Sequence, residues 1–355
     1  MTWIFYLVLG SLLGLTLLAG RSRALVQWHL YTIAIVLALV AGLRYGDFDY
    51  VNYAEIFSDV PAFSEFSFDA LSRIHGEFGF LALVSLAKGF GIGFTGFLLL
   101  LAFTTVALVA FSTYRLSYVP LASMVFYFSH VFLLREMMQI RAALAVAVVL
   151  FAFSLSPGML KRSALIATSA LFHAGAAIIL PFYWFLSKKE FAWRTFVILL
   201  VFCLLISIVG LGKPMTHFLA AQGVLPAAVE AYVGWDEYNG RLSTLGNPVL
   251  WKAVLILFLL RTTPNEELGE AVGALRNLYA AGVLLFLCLS DFAILAGRLS
   301  TFLFLGEAIL VSWAFFYRRP NLQWGMIFGA IVLAQLSMDI LVTGVHQDIR
   351  FGIYD

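Results

Sequence analysis

Long apolar stretches alternate along this chain with short clusters of basic, acidic and aromatic residues. Apolar runs near 3 to 20, 25 to 43, 94 to 113, 118 to 134, 141 to 156, 194 to 212, 247 to 261, 276 to 289, 298 to 317 and 322 to 343 recur at the size needed to cross hydrocarbon. Backbone polar groups in lipid must pair within their own segment. The runs are far longer than tilted barrel strands, so the pattern predicts helices. Two stretches break the rhythm. Residues 78 to 90, FGFLALVSLAKGF, are short and carry Lys88, which predicts an interfacial or partly inserted helix. Residues 163 to 186 place His173 and Gly175 in mid-run, which fits either one span or two half-helices that enter and leave on the same side.

Composition sharpens the class. The 355 residues are 62% hydrophobic and 12% charged, with 34 phenylalanines and a mean hydropathy of +0.96. That is the signature of an all-α, polytopic integral membrane protein of about ten to twelve spanning or re-entrant helices, read here as a single transmembrane domain over 1–355. Its two cysteines, Cys203 and Cys288, lie inside apolar runs and suggest packing, not a disulfide framework or a metal pair. No basic segment precedes the first apolar run, whereas Arg21 and Arg23 follow it. This predicts a retained first helix that starts outside.

The charges decide how the ambiguous segment is read. With 163 to 186 folded back as a hairpin, Arg21, Arg23, Arg115, Lys161, Arg162, Lys188, Lys189, Arg194, Arg261, Arg276, Arg318 and Arg319 all fall on the cytoplasmic side, as the positive-inside rule expects. A single crossing would invert every later loop and put Arg318 and Arg319 outside. The hairpin is therefore preferred, and the outer face receives residues 44 to 77 and 213 to 246. The first of these loops holds seven acids against Arg44 and Arg73.

Three places carry candidate chemistry. LRYGDFDYVNY, residues 43 to 53, leaves the second run with Arg44, Asp47, Asp49, Tyr50 and Tyr53. Aromatic faces beside carboxylates suit sugars, whose C–H faces stack on rings while their hydroxyls donate to acids. The plainer alternative is that Asp47 or Asp49 caps a helix and the tyrosines form an interfacial belt. The negative loop disfavours nucleic acid. REMMQIR, residues 135 to 141, puts Arg135 and Arg141 at a membrane edge, and Arg298 in LAGRLSTFLF repeats the situation. A guanidinium fork matches phosphate oxygens, so these arginines read as anion ligands, or else as structural partners of Glu136, Asp291 or Glu307. On a continuous helix Arg135 and Arg141 stand roughly 120° apart, so they flank a broad face or straddle a break. Basic residues elsewhere, Arg162 among them, read mostly as solvated charges. His173 in ALFHAGA is either a packing element or a base beside irregular backbone. His75 and Glu77, in RIHGEFGF, form a weaker pair. Two residues make no metal site, and no metal or cofactor is expected.

In order along the chain, LRYGDFDYVNY, REMMQIRAALA, ALFHAGAAIILPFY and GRLSTFLF resemble the EpsG/Wzy group of bacterial polysaccharide polymerases. The resemblance runs from about 25 to 317. It departs from the group's pattern in RYGDFDY, where Asp47 is an extra acid, so either aspartate fits the motif. The resemblance implies a helical architecture similar to C-type glycosyltransferases and O-antigen ligases. It also implies transfer of a glycan from one undecaprenyl-diphosphate-linked oligosaccharide to a hydroxyl of the next, at the outer face of the bacterial inner membrane, and the lack of a ligand cluster adds that the transfer is metal-independent. In that chemistry Arg135, Arg141 and Arg298 hold the lipid diphosphate, Asp47, Asp49 or His173 takes the acceptor proton, and the partners are the lipid-linked glycan, the bilayer and a chain-length regulator. A transporter or flippase is the rival reading, but it calls for an internal repeat and charges reaching both faces. An O-antigen ligase or a polyprenyl-phosphate-dependent glycosyltransferase remains open within the enzyme class.

Overall fold

The computed structural model describes residues 2–18, 23–46, 48–65, 67–68, 73–155, 158–223, 240–318, 321–342, 344 and 349–351. The described residues are overwhelmingly helical, with one two-residue antiparallel pairing of β1 (Arg44–Tyr45) and β2 (Arg350–Phe351). Four described helices are long and apolar enough to cross a membrane, or six if each of two bent pairs is one span. The chain is a multi-pass membrane protein. It folds as two compact units, Met1–Ala177 with Val311–Asp355, and Ile178–Leu310.

In the first unit α1 is Thr2–Leu18, α2 is Arg23–Gly42, α3 is Phe48–Asp59, α4 is Phe78–Gly89 and α5 is Phe94–Leu116. There follow α6, Pro120–Phe126, which runs on as a π-helix over Tyr127–Glu136, then α7, Ile140–Ser154, and α8, Met159–Ser169. The three-layer stack α2, α5, α7 is the framework. Gly42 allows its tightest point, because a Cβ there would lie 2.7 Å from the Leu99 Cα. Leu30, Leu37, Val106 and Val149 are fully buried within the stack. Thr105 and Ser112 return their hydroxyls to the carbonyls of Leu101 and Leu108, which satisfies both within the stack. On its other face α2 turns Trp28, Ile35, Val36 and Leu39 outward, an apolar surface suited to lipid.

The second unit contains α9 (Ile179–Leu186), α10 (Trp193–Val209), α11 (Gly212–Ala221), α12 (Pro248–Leu259), α13 (Asn265–Leu268), α14 (Glu270–Cys288) and α15 (Ala293–Leu303). α14 is its axis, packed against α9, α10, α12, α13 and α15. Arg276, read from sequence as a cytoplasmic surface charge, is 1% exposed. Its guanidinium donates to the carbonyls of Leu260 and Thr263 and to Asn265 Oδ1, closing the otherwise unpaired end of α12. Two helices complete the chain: α16, Glu307–Phe316, and α17, Leu322–Ser337, the latter extended by a π-helical turn over Met338–Val342.

Most expected spans appear as helices. Three differ in form. The run at 118 to 134 widens into the π-helix. The run at 194 to 212 bends by 88° between α10 and α11, and the run at 298 to 317 consists of α15 and α16 bent by 65°. Gly210, with φ of +77°, makes the first bend affordable. The ambiguous stretch at 163 to 186 is interrupted: α8 ends at Ser169, a turn leads to a 3₁₀ segment over Ala174–Ile178, and α9 follows.

Candidate functional site

The site begins with α3. Asp49, Asn52, Tyr53, Ile56 and Asp59 recur at three- and four-residue intervals, so they share one face of this helix. Its other contacts are aromatic. Tyr50 meets Phe94 edge-on at 5.1 Å, and Phe57 lies 5.4 Å from Phe94 and 5.7 Å from Phe97. Lys88 of α4 anchors the far end, donating to the carbonyls of Phe57 (3.0 Å), Ser58 (3.0 Å) and Val60 (2.5 Å). Its charge thus complements the negative end of the α3 dipole, while Asp49 complements the positive end.

The polar face of α3 forms one wall of a cavity of about 440 Å³, completed by Arg73, Ile74 and His75 from the following loop and by Arg141 at the head of α7. This volume suits the head group of a drug-sized or larger ligand. The acids of α3 thus share the cavity with two guanidinium groups and an imidazole.

Arg141 is the best-defined member. Its Nη1 donates to Glu77 Oε2 at 2.7 Å, and the guanidinium lies 5.8 Å from the Tyr53 ring centre and 6.0 Å from that of Phe80. Its Nε is buried and has no hydrogen-bond partner among the described residues. An unmet donor of this kind is costly, and a ligand oxygen would satisfy it. Burial outweighs the Arg141 charge at Tyr53 and pushes its phenol above the ordinary value of 10.0, so Tyr53 keeps its proton at neutral pH.

Glu77 ties this arginine to the interrupted segment. Its Oε1 accepts from the Ala174 backbone at 3.0 Å, and Gly79 N–H donates to the Leu171 carbonyl at 2.8 Å. His173 therefore sits at a turn docked on the start of α4. Its Nδ1 accepts from the Gly175 amide at 3.1 Å, and its ring is not among the cavity's lining residues.

The remaining expected residues fall elsewhere. Asp47 lies outside the described residues. Arg44 is buried, its guanidinium donating to the carbonyls of Met137 and, at 2.6 Å, Ala41. Arg135 closes the π-helix and is also buried, within electrostatic range of Glu136, as is Arg44. Tyr127 donates to that carboxylate at 2.7 Å. Residues 137 to 139 separate the π-helix from α7, so Arg135 and Arg141 straddle a break instead of flanking one face. Arg298 is an exposed residue of α15 in the second unit. Arg162 corrects an expectation: it is 3% exposed, with its guanidinium 5.5 Å from the Phe153 ring centre and Nε directed at the Ala152 carbonyl.

With this geometry in place, the profile of the EpsG family matches residues 27–354. The chain belongs to the EpsG family. A relative supports the assignment: the chain is 24% identical over 331 residues to the amylovoran biosynthesis protein AmsC of Erwinia amylovora, covering 87% of this chain and 84% of that protein. No solved structure matches. The family match takes in α3, Arg141 and the turn at His173, so the cavity lies wholly within the EpsG region. Sequence reasoning passed over Glu77 as the partner of Arg141, and over Arg73, His75, Asn52 and Asp59 as cavity walls. The helical spacing of 49, 52, 53, 56 and 59 was the available signal. The Glu77 to Arg141 pair, 64 residues apart, had none.

Proposed function

We propose that this EpsG family protein is a metal-independent glycosyltransferase that polymerises undecaprenyl-diphosphate-linked oligosaccharide repeat units into a surface polysaccharide at the outer face of the bacterial inner membrane. The observation that carries this reading is Arg141, a guanidinium with one arm fixed by Glu77 and a buried Nε unmet among the described residues, in one cavity with the carboxylates of α3. The donor's leaving group is a lipid diphosphate. Arg141 and Arg73 at the cavity offer it charge-assisted hydrogen bonds, supplying the stabilisation of developing negative charge that a divalent cation supplies elsewhere. The acceptor hydroxyl loses its proton as its oxygen bonds to the anomeric carbon and the diphosphate departs. Asp49, which lines the same cavity, takes that role in this reading; Asp47 and His173 are further candidates from the sequence motif. Asn52, Asp59 and the ring of Tyr53 provide acceptors and a face for sugar hydroxyls and C–H groups. The polyprenyl tails stay in the bilayer beside the apolar outer surfaces, and a chain-length regulator is the second partner that the family resemblance implies.

Deleting the chain in its native host and sizing the lipid-linked glycans tests this directly. Accumulation of a single undecaprenyl-linked repeat supports polymerisation. Normal polymer with undiminished length refutes it, and full-length polymer stranded on its lipid points to a ligase. Purified protein should retain polymer synthesis in excess chelator. Activity that disappears and returns with Mg²⁺ or Mn²⁺ would move the α3 carboxylates from sugar and base roles to metal ligation.

A further inference from the structure

The two cysteines stand far apart in sequence and together in the second unit. Cys203 of α10 and Cys288, the last residue of α14, have their sulfurs 3.4 Å apart. Cys203 is buried and Cys288 half-buried. Two features beside them hold the helices in register. Ser207, one turn beyond Cys203, shares hydrogen bonds with Thr244 (2.5 Å) and with Ser290 (2.6 Å), two residues after Cys288. Arg241, half-exposed, spans the same end, donating to the carbonyls of Ser207 and Ile208 and pairing with Asp291 at 3.3 Å. The thiols thus lie about one turn from the polar helix end that Arg241 spans, and their sulfurs face each other between α10 and α14, within reach of the disulfide bonding distance of about 2.05 Å.

We propose that Cys203 and Cys288 form a thiol modification site that closes into an intramolecular disulfide by exchange with an oxidised dithiol or a small disulfide. Cys288, the more accessible sulfur, attacks the oxidant as its thiolate; the oxidant's S–S bond breaks and one thiol leaves with a proton. Cys203 then attacks the mixed disulfide at the Cys288 sulfur and expels the second thiol. Two cysteine thiols are oxidised and one disulfide is reduced to two thiols, so electrons and protons balance. The product bolts α10 to α14 beneath the bend at Gly210 and beside the turn from which α15 departs.

Because the chain has only these two cysteines, the test is unambiguous. Membranes carrying the full chain are reduced, exposed to oxidised glutathione, denatured, alkylated with a mass-adding maleimide and digested without reductant. The expected result is loss of both maleimide sites in wild type, with one linked peptide pair containing Cys203 and Cys288. Cys203→Ser should hold glutathione on Cys288, whereas Cys288→Ser should leave Cys203 reactive to maleimide after denaturation. Two thiols still alkylated in oxidised wild type, separate glutathione adducts on each cysteine, or a disulfide between chains would each overturn the proposal. The wild-type measurement involves no substitution and does not depend on the folding of either variant.

Discussion

Arg141 and Glu77 show why a charged residue at a membrane edge cannot be read from its own neighbourhood. The arginine is legible in REMMQIR because a guanidinium so placed is expensive and must have a partner. Its partner comes from a loop that no periodicity predicts. Each side chain is about one-fifth exposed, so the pair is screened in part, and its loss costs less than that of a fully buried pair. Glu77→Ala removes both the pair and the acceptor for Ala174, and should lower stability by about 1 to 3 kcal/mol. Glu77→Gln keeps the acceptor and should fall between Ala and wild type. Thermal unfolding of the three proteins in one detergent checks the order; Gln and Ala behaving alike would mean that the Ala174 contact contributes nothing. Arg44 illustrates the opposite case. It shares a motif with Asp49 and Tyr53, yet its guanidinium turns into the carbonyls of Ala41 and Met137, and the second of these, 93 residues away, is a partner that the sequence does not announce.

Helix existence was largely visible along the chain, and helix form was not. α2, α5, α12, α14 and α17 follow from apolar length alone. The π-helix at 127–136 was hidden because it differs from an α-helix by one hydrogen-bond step, and the break at 137–139 contains neither Gly nor Pro to announce it. The turn before Ala174 was signalled by His173 and Gly175 in an apolar run, but not its docking on α4. That docking rests on Gly79, where a Cβ would lie 2.8 Å from the Leu171 Cβ and equally close to its carbonyl oxygen. Gly79→Ala should therefore push the turn away, costing about 1 to 3 kcal/mol and reducing polymer output. Gly93→Ala, where an added Cβ meets nothing within 4 Å, is the matched control. Equal stability of both variants would show that the turn is not held by this contact.

At the scale of the whole molecule, the charge distribution makes the sharpest demand. If the hairpin reading of 163 to 186 is right, residues 44 to 77 and 188 to 194 lie on opposite sides of the membrane. In a background with Cys203 and Cys288 replaced by serine, a cysteine at the exposed position Ser58 should react with an impermeant maleimide on intact spheroplasts. One at exposed Lys188 should react only after permeabilisation. Lys188→Cys labelled from outside would mean a single crossing. The cavity on α3 belongs to the first unit alone, so its chemistry can be tested there without reference to Arg298. The most direct measurement is polymer formation by Arg141→Lys and Arg141→Ala in membranes matched for protein level, with exposed Lys161→Ala as control. Lysine keeps the charge and loses the planar fork, so Arg141→Lys should fall about tenfold and Arg141→Ala about a hundredfold, while Lys161→Ala stays near wild type. Wild-type polymer from Arg141→Ala at a normal membrane level would contradict the account, because the guanidinium would then have no part in holding the diphosphate.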